Sequence, residues 1–212
     1  MPSEIDYLLK GHQKFRSQYF KYDSSLYQHF AKHGQKPRFM IIACSDSRVD
    51  PSILFNCQPG DLFVIRNVAN LIPPSELDSH YHGTSAALEF GICHLGIRHV
   101  VVLGHSQCGG ITSLIQHQIE HRSYDKNGFL AKWMELANSA CEETLADYTE
   151  QSLSEQADHC AKLSIQHCLK NLRTFSWVEE RISHGDLFLH GWYFELTSGK
   201  ISIFNSSNQQ FE

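Results

Sequence analysis

Three side chains that can bind a metal ion follow two short apolar segments of the sequence. Cys44 closely follows the run 39–42, and His105 and Cys108 closely follow the run 100–103. Both runs contain β-branched residues, which predicts buried strands. Because open α/β sheets build their sites at the carboxyl ends of the strands, we expect the three side chains to meet there. Two thiolates and one imidazole suit zinc, and three protein ligands leave a fourth tetrahedral position free, which is the pattern of a catalytic site.

An alternative applies to either of these cysteines taken alone, because a buried cysteine at a strand end is more often only a small apolar residue. The zinc interpretation therefore depends on the two segments together, and it predicts one ion per chain. The sequence contains seven cysteines, and those outside the predicted site are interpreted as small core or helix-face residues: Cys57, Cys93, Cys141, Cys160 and Cys168.

Asp46 and Arg48 follow Cys44 at alternate positions, which places both close to the predicted metal. The Asp46 carboxylate can accept a hydrogen bond from a hydroxide on the metal, or it can bind the metal itself and block the site. The Arg48 guanidinium is always charged and can hold Asp46 in a bidentate pair away from the metal. The alternative is an ordinary surface ion pair on a turn. Beside a zinc site we favour the orienting role, because neighbouring groups orient metal ligands and bound water.

Four motifs resemble those of β-class carbonic anhydrases, in particular the plant-like branch. They are CSDSR at 44–48, FVIRNVAN at 63–70, GHSQCGG at 104–110 and LHGW at 189–192. The paired CSDSR and HxxCGG motifs are specific, and the resemblance covers nearly the whole chain. It implies reversible hydration of CO₂ to bicarbonate and a proton by attack of a zinc-bound hydroxide, with Asp46 and Arg48 as the orienting pair. The implied small-molecule partners are CO₂ and bicarbonate.

The resemblance also implies a substrate pocket. Gln35 matches an amide that hydrogen-bonds a substrate oxygen, and Phe63 and Val68 match apolar walls of the CO₂ pocket. Tyr81 matches a tyrosine contributed at a dimer interface, and Gly109 matches a backbone donor next to the second cysteine ligand.

Two departures from one branch of the family bear on regulation. In the bicarbonate-inhibited branch, a tryptophan and a tyrosine bind bicarbonate at a non-catalytic site together with an arginine. The matching positions here are Ile41, Phe194 and Arg66, so the cation remains while both aromatic donors are absent. A buried anion that loses two donors is not compensated for its desolvation. The resemblance therefore implies an enzyme without cooperative inhibition by bicarbonate.

Two further functions are compatible with such a chain. One is hydrolysis of a related cumulated substrate such as carbon disulfide, which would need a reshaped access route. The other is a non-catalytic zinc protein that senses or binds bicarbonate, or that merely assembles. Asp46 and Arg48 favour catalysis over the second, because a non-catalytic copy has no need of this pair.

Composition limits the remaining classes of partner and location. The net charge is −5 and the pI near 6.3, and the basic residues are scattered, which argues against binding to nucleic acid. Neither a signal peptide nor a membrane-spanning run is recognisable, which predicts a protein without a membrane partner. An odd number of cysteines without a disulfide rhythm fits a reducing compartment. We therefore expect a cytoplasmic location.

Alternation of strand and helix patterns predicts the α/β class, with a mostly parallel central sheet, an antiparallel edge strand and helices on both faces. A chain of 212 residues suits one domain, here 1–212, with an N-terminal helical arm at 1–34 and an α/β core at 35–212. The predicted strands are 38–43, 61–65, 98–103, 186–196 and 200–204. A short helix is predicted to begin at Pro51. Further helical segments of the core are predicted over 84–95, 109–120, 128–146 and 153–183. The segment 66–83 is predicted to be a loop.

The N-terminal arm has apolar and aromatic residues at helical spacing between Ser3 and Ala31. These residues could cap the core of the same chain. In the family that the motifs resemble, such helices reach across to a second subunit. The arm and Tyr81 therefore favour a homodimer or a dimer of dimers.

Overall fold

The computed structural model describes residues 3–21, 24–76, 81–122 and 128–212. The chain divides into two units, Met1–Lys36 and Pro37–Glu212. This division falls close to the predicted boundary between the helical arm and the α/β core. The predicted loop 66–83 includes residues 77–80, which lie outside the described part of the chain.

Within residues 3–21 and 24–36, the N-terminal unit contains two helices, as predicted: α1 spans Glu4–Phe20 and α2 spans Ser25–His33. Ser3 begins α1 with a capping box, in which its hydroxyl accepts the Asp6 N–H at 3.2 Å and its own N–H donates to the Asp6 carboxylate at 2.8 Å. Aromatic rings pack between the two helices: Phe15, Tyr19, Phe20, Tyr27 and Phe30.

Six strands among the described residues form the sheet of the second unit: β1 Phe39–Cys44, β2 Leu62–Asn67, β3 His99–His105, β4 Phe188–Phe194, β5 Ile201–Asn205 and β6 Gln210–Phe211. Their order across the sheet is β2-β1-β3-β4-β5-β6. The first four in this order are parallel, and β5 and β6 are antiparallel to their neighbours. The predicted parallel sheet with an antiparallel edge is confirmed, while β6 was not predicted.

Seven α-helices of the second unit lie around this sheet within the described residues. They are α3 Pro51–Leu54, α4 Gly83–Glu89, α5 Gly109–Ile119, α6 Phe129–Met134, α7 Asn138–Asp147, α8 Leu153–Leu172 and α9 Ser176–Ser183. A π-helix, Phe90–His94, continues α4, and 3₁₀ turns occur at Val68–Asn70 and Glu135–Ala137. No described helix has both the length and the apolar character needed to cross a bilayer.

The prediction of one helix over 153–183 is wrong, because α8 and α9 are separate helices. The chain leaves the helical conformation at Phe175, whose ψ is 118° and whose side chain is only 5% exposed. Leu172, Phe175 and Val178 all belong to the core and are spaced by three residues. The apolar stripe therefore continues across a turn that breaks the helix, and periodicity alone does not reveal the break.

The two faces of the sheet are unequally covered. Met40 and Ile42 lie in a large core on one face, where α8 packs against β3 and β4. Because side chains alternate along a strand, Ile41 and Ala43 point to the other face, where Leu54 and Phe55 pack on a smaller cluster. Five large apolar side chains on this second face stay between 36% and 49% exposed: Phe39, Val64, Phe188, Ile201 and Ile203.

Candidate metal centre

The register of the sheet brings the predicted metal ligands together. β1 and β3 are adjacent and parallel, with Ala43 paired to Leu103, so their carboxyl ends lie side by side. Cys44 ends β1, His105 ends β3, and Cys108 follows in the next turn. Their potential ligand atoms all lie within 4.8 Å of one another, and the two sulfurs are 4.0 Å apart. All three residues are buried, so any ion held there is shielded from solvent.

The imidazole of His105 is oriented as a metal ligand. Its Nδ1 lies 2.8 Å from the backbone carbonyl of Ser106, which can only accept a hydrogen bond, so Nδ1 carries the proton. Nε2 is then unprotonated and presents a lone pair. This atom is buried and has no hydrogen-bond partner among the described residues. Such an atom is costly unless something binds it. Together with two sulfurs, this nitrogen fits the preferences of Zn²⁺ for soft and imidazole ligands.

A backbone amide supports the Cys44 sulfur. Ala69 adopts a left-handed conformation with φ 62°, and its N–H points to Cys44 Sγ at 3.4 Å. The contact with Cys108 lowers the pKa of the Cys44 thiol, and the same contact together with burial raises the pKa of Cys108. Gly110 allows the close approach of this turn, because a Cβ there would lie 3.0 Å from Val68 Cγ1.

Asp46 and Arg48 form a bidentate pair beside the ligands. Arg48 donates from Nε to Asp46 Oδ1 at 3.0 Å and from Nη2 to Oδ2 at 2.7 Å, and its backbone N–H also reaches Oδ1 at 2.9 Å. The hydrogen bonds from the Arg48 side chain hold the pKa of the Asp46 carboxyl well below its usual range. The carboxylate is therefore ionised at neutral pH and turned toward the guanidinium.

Arg66 fixes the segment that carries this pair. Its Nε donates to the carbonyl of Cys44 at 3.0 Å, Nη2 donates to the carbonyl of Asp46, and Nη1 donates to the Asp50 carboxylate at 2.9 Å. Asp50 also caps α3 by accepting the N–H of Ser52 at 3.0 Å. All three nitrogens of the Arg66 guanidinium thus serve to hold the end of β1 against the start of α3.

The turn after β3 is tied to the end of β4. The buried Ser106 hydroxyl donates to Glu195 Oε1 at 2.9 Å and accepts the Leu196 N–H at 2.9 Å, while the Ser106 N–H donates to the Phe194 carbonyl at 2.9 Å. Hydrogen bonds from Thr197 and Ser106 lower the pKa of the Glu195 carboxyl. The charged Glu195 carboxylate therefore holds Ser106, whose carbonyl in turn fixes the imidazole of His105.

Two of the predicted substrate-pocket residues lie beside the ligands. Val68 begins the 3₁₀ turn that carries Ala69, and its carbonyl accepts the Trp133 indole N–H at 2.8 Å. Its side chain is 38% exposed and can form an apolar wall next to the site. Gly109 directly follows Cys108 and begins α5, and the backbone N–H groups of Gly110 and Ile111 in this first turn donate to the Cys108 sulfur.

The other three are not brought to the ligands within this unit. Phe63 pairs with Met40, near the start of β2, which places it roughly 13 Å along the strand from the residue that pairs with Cys44. Its ring contacts Phe90, with centroids 6.2 Å apart. Tyr81 is fully exposed, and Gln35 belongs to the N-terminal unit. Their predicted contacts with substrate stay predictions.

Sequence reasoning missed several supporting residues. Asp50 was recognisable, because an aspartate directly before Pro51 is a typical helix cap. Glu195, Trp133 and Asp158 gave no local signal, since the groups they bind lie 89, 65 and 51 residues away along the chain.

The chain is thus an α/β protein with a buried Cys₂His centre of the zinc-binding type at the carboxyl edge of its sheet. A sequence model of the family described as carbonic anhydrase matches residues 39–201. The Arabidopsis thaliana protein named beta carbonic anhydrase 5, chloroplastic, is 42% identical over 160 residues, or 76% of this chain. The chain therefore belongs to the carbonic anhydrase family, and the resemblance to the β class is confirmed.

Solved structures agree with this assignment. The β-carbonic anhydrase CcaA is 33% identical and superimposes with a TM-score of 0.89, covering 99% of this chain and 98% of that one. A structure from a study of two tetrameric β-carbonic anhydrases of Sordaria macrospora is 26% identical, with a TM-score of 0.82 and coverage of 95% and 96%. The present chain spans 52% of the length of the Arabidopsis relative.

Proposed function

We propose that the protein catalyses the reversible hydration of CO₂ to bicarbonate and a proton. The observation that carries the proposal is the bidentate Asp46–Arg48 pair next to the buried cluster of Cys44, His105 and Cys108. Membership of the carbonic anhydrase family supports it. A zinc protein that only bound or sensed bicarbonate would have no use for an ionised, oriented carboxylate at this position.

The residues of the site have separate roles in this reaction. Cys44, His105 and Cys108 would hold the zinc, a Lewis acid that lowers the pKa of water, though less strongly with two thiolate ligands than in a three-histidine site, so activity should rise toward alkaline pH. The Asp46 carboxylate accepts a hydrogen bond from the attacking water and so aims its lone pair at the carbon of CO₂. Arg48 keeps that carboxylate ionised and away from the ligand atoms.

A direct test is stopped-flow measurement of CO₂ hydration on protein whose zinc content is determined in parallel. We expect a rate far above that of buffer for protein with one zinc per chain, and loss of that rate after removal of the metal by a chelator. Fully loaded protein that does not exceed the buffer rate would contradict the proposal.

We further propose that the protein is a homo-oligomer built on dimers. Apolar side chains on α1, namely Ile5, Leu8 and Leu9, are more than half exposed, and the second face of the sheet has five exposed large apolar residues. Uncovered apolar surface of this kind marks an interface in most soluble proteins. The tetrameric relatives from Sordaria macrospora are consistent with a second copy of the chain as the partner.

Replacing Val64 with lysine is expected to weaken this association. Val64 is 36% exposed on the second face of the sheet, where a buried charge would oppose contact with another subunit. Sedimentation velocity at micromolar concentration should show a dimer or larger species for the parent and a shift toward monomer for the variant. Lys200→Glu, a charge change outside this face, is the control. An active parental monomer would contradict the proposal.

We also propose that bicarbonate does not inhibit the enzyme cooperatively. Ile41 and Phe194 are apolar and offer no hydrogen-bond donor to a second bicarbonate ion. The Arg66 guanidinium, which could bind such an ion, already donates to Cys44, Asp46 and Asp50. An anion would have to displace these bonds. Initial rates measured against bicarbonate concentration should give a simple hyperbolic product inhibition at each pH. A sigmoidal curve that steepens below about pH 8 would show that a second anion site exists.

We propose a cytoplasmic location and no nucleic-acid partner. None of the seven cysteines, all of which lie among the described residues, forms a disulfide, which suits a reducing compartment. The net charge of −5 disfavours contact with a phosphate backbone.

A further inference from the structure

The residue between the two ligands of the second turn is held in an unfavourable backbone conformation. Gln107 has a φ of 54°, in the left-handed region that residues other than glycine seldom occupy. It lies in the turn between His105 and Cys108, so its conformation sets the relative position of an imidazole and a thiol. Such strain persists only where surrounding contacts impose it.

Two side chains from distant parts of the chain impose this conformation. The Gln107 N–H donates to Asp158 Oδ1 at 3.1 Å, and the Gln107 carbonyl accepts Arg48 Nη2 at 3.1 Å. Asp158 belongs to α8 and Arg48 to the turn after β1. The backbone of Gln107 is thus held on one side by a carboxylate and on the other by a guanidinium, and both contacts are charge-assisted.

The same guanidinium nitrogen serves the pair beside the metal ligands. Arg48 Nη2 donates to Asp46 Oδ2 at 2.7 Å as well as to the Gln107 carbonyl. A continuous chain of hydrogen bonds therefore runs from Asp158 through Gln107 and Arg48 to Asp46. It links α8 to both turns that carry ligands.

We propose that Asp158 is a positioning residue for the reaction, which fixes the turn from His105 to Cys108 and, through the Gln107 carbonyl, the orientation of Arg48. The proposal rests on the proposed hydration of CO₂. Asp158 makes no contact with the reacting atoms, and it acts by restraining the turn that carries His105 and Cys108 and the guanidinium that holds Asp46.

The position of Asp158 separates this role from general stability. Aspartate is a poor helix former, and Asp158 lies inside α8, beyond its capping box at Ser152 and Glu155. α8 is anchored by its own buried residues, among them Ala157, Cys160 and Ala161. Loss of one half-buried carboxylate should therefore leave the helix in place while it loosens the turn.

The test compares Asp158→Ala and Asp158→Asn with Asp61→Ala as a matched control. The amide oxygen introduced by Asp158→Asn would still accept the Gln107 N–H, so this variant keeps the hydrogen bond and loses the charge. Asp61 accepts the Gln58 N–H at 2.7 Å in a turn before β2, and it lies outside the site. Each zinc-loaded protein is assayed for CO₂ hydration and for hydrogen exchange of the segment 104–110. The visible absorption spectrum is recorded on a separate preparation of each protein in which cobalt replaces zinc.

We expect Asp158→Ala to lower kcat about tenfold with little change in KM. A tenfold fall in rate corresponds to the loss of one charge-assisted hydrogen bond. Exchange in the segment 104–110 should be faster and the cobalt spectrum altered. In Asp158→Asn, the exchange rate of the segment 104–110 and the cobalt spectrum should return most of the way to those of the parent. Asp61→Ala should match the parent in kcat, exchange and spectrum.

Parental kcat, exchange and cobalt spectrum in Asp158→Ala would overturn the proposal. The proposal would also be overturned if Asp158→Asn showed the same fast exchange in the segment 104–110 and the same altered cobalt spectrum as Asp158→Ala. If the parent itself lacked CO₂ hydration, the proposed function would fall, while faster exchange and an altered cobalt spectrum in Asp158→Ala would still support the restraint of the turn.

Discussion

Replacing Cys108 with alanine is expected to abolish stoichiometric zinc binding. Its sulfur is buried and lies 4.0 Å from that of Cys44, and its loss leaves only a thiol and the Nε2 atom of His105 to hold an ion. Two protein ligands cannot close a zinc site, and the remaining donors become unsatisfied buried groups. We expect zinc content to fall from one per chain to near zero, with a lower melting temperature and reduced solubility.

Two other cysteines provide matched controls for this variant. Cys93 is exposed, and Cys160 is fully buried in α8. Both alanine variants should keep one zinc per chain, although Cys160→Ala should lose some stability because it leaves a small cavity. Metal analysis by mass spectrometry together with thermal unfolding distinguishes the cases. Full zinc occupancy in Cys108→Ala would show that the ligand assignment is wrong.

Asp46→Asn and Arg48→Ala should keep zinc and lose most of the activity. An asparagine keeps the shape of the carboxylate but not its charge, so the attacking water loses its charged acceptor. Removing the Arg48 side chain frees Asp46 from two of its three hydrogen bonds and allows it to turn toward the ligand atoms. We expect kcat/KM for CO₂ hydration to fall about 100-fold in either variant, in the range that positioned acid–base groups contribute.

A second ion pair of the same type serves as the control. Arg181 donates from Nε to Asp186 Oδ1 at 2.9 Å, at a surface position between α9 and β4. Asp186→Asn should leave both zinc content and kcat/KM unchanged. If Asp46→Asn kept near-parental kcat/KM at alkaline pH, the carboxylate would have no orienting role.

The metal ligands and the sheet could be predicted because their signals are local. Each ligand motif directly follows a short β-branched apolar run, and a parallel sheet places the ends of such strands along one edge. Observed strands differ from the predicted ones mainly at their ends. β6 has only two residues, Gln210–Phe211, which is too short for any alternation to be recognised.

The anchors of the site could not be predicted, because they depend on tertiary contacts. Asp158 and Glu195 are polar residues in a helix and after a strand, and their local sequence is compatible with simple solvent exposure. Only the packing of α8 and β4 next to β3 brings them to Gln107 and Ser106. The break between α8 and α9 was missed for a different reason, since the buried residues Leu172, Phe175 and Val178 keep their three-residue spacing across the turn.

The position of β3 in the sheet has a consequence for synthesis of the chain. β3 is paired by β1 on one side and by β4 on the other, yet the helices α5 to α9 separate β3 from β4 in sequence order. All three metal ligands therefore leave the ribosome while the β4 side of β3 is still an open edge of buried apolar residues. Open edges of this kind pair readily with other chains. A nascent or truncated chain that ends before Phe188 would thus carry the complete ligand set and still be prone to aggregation.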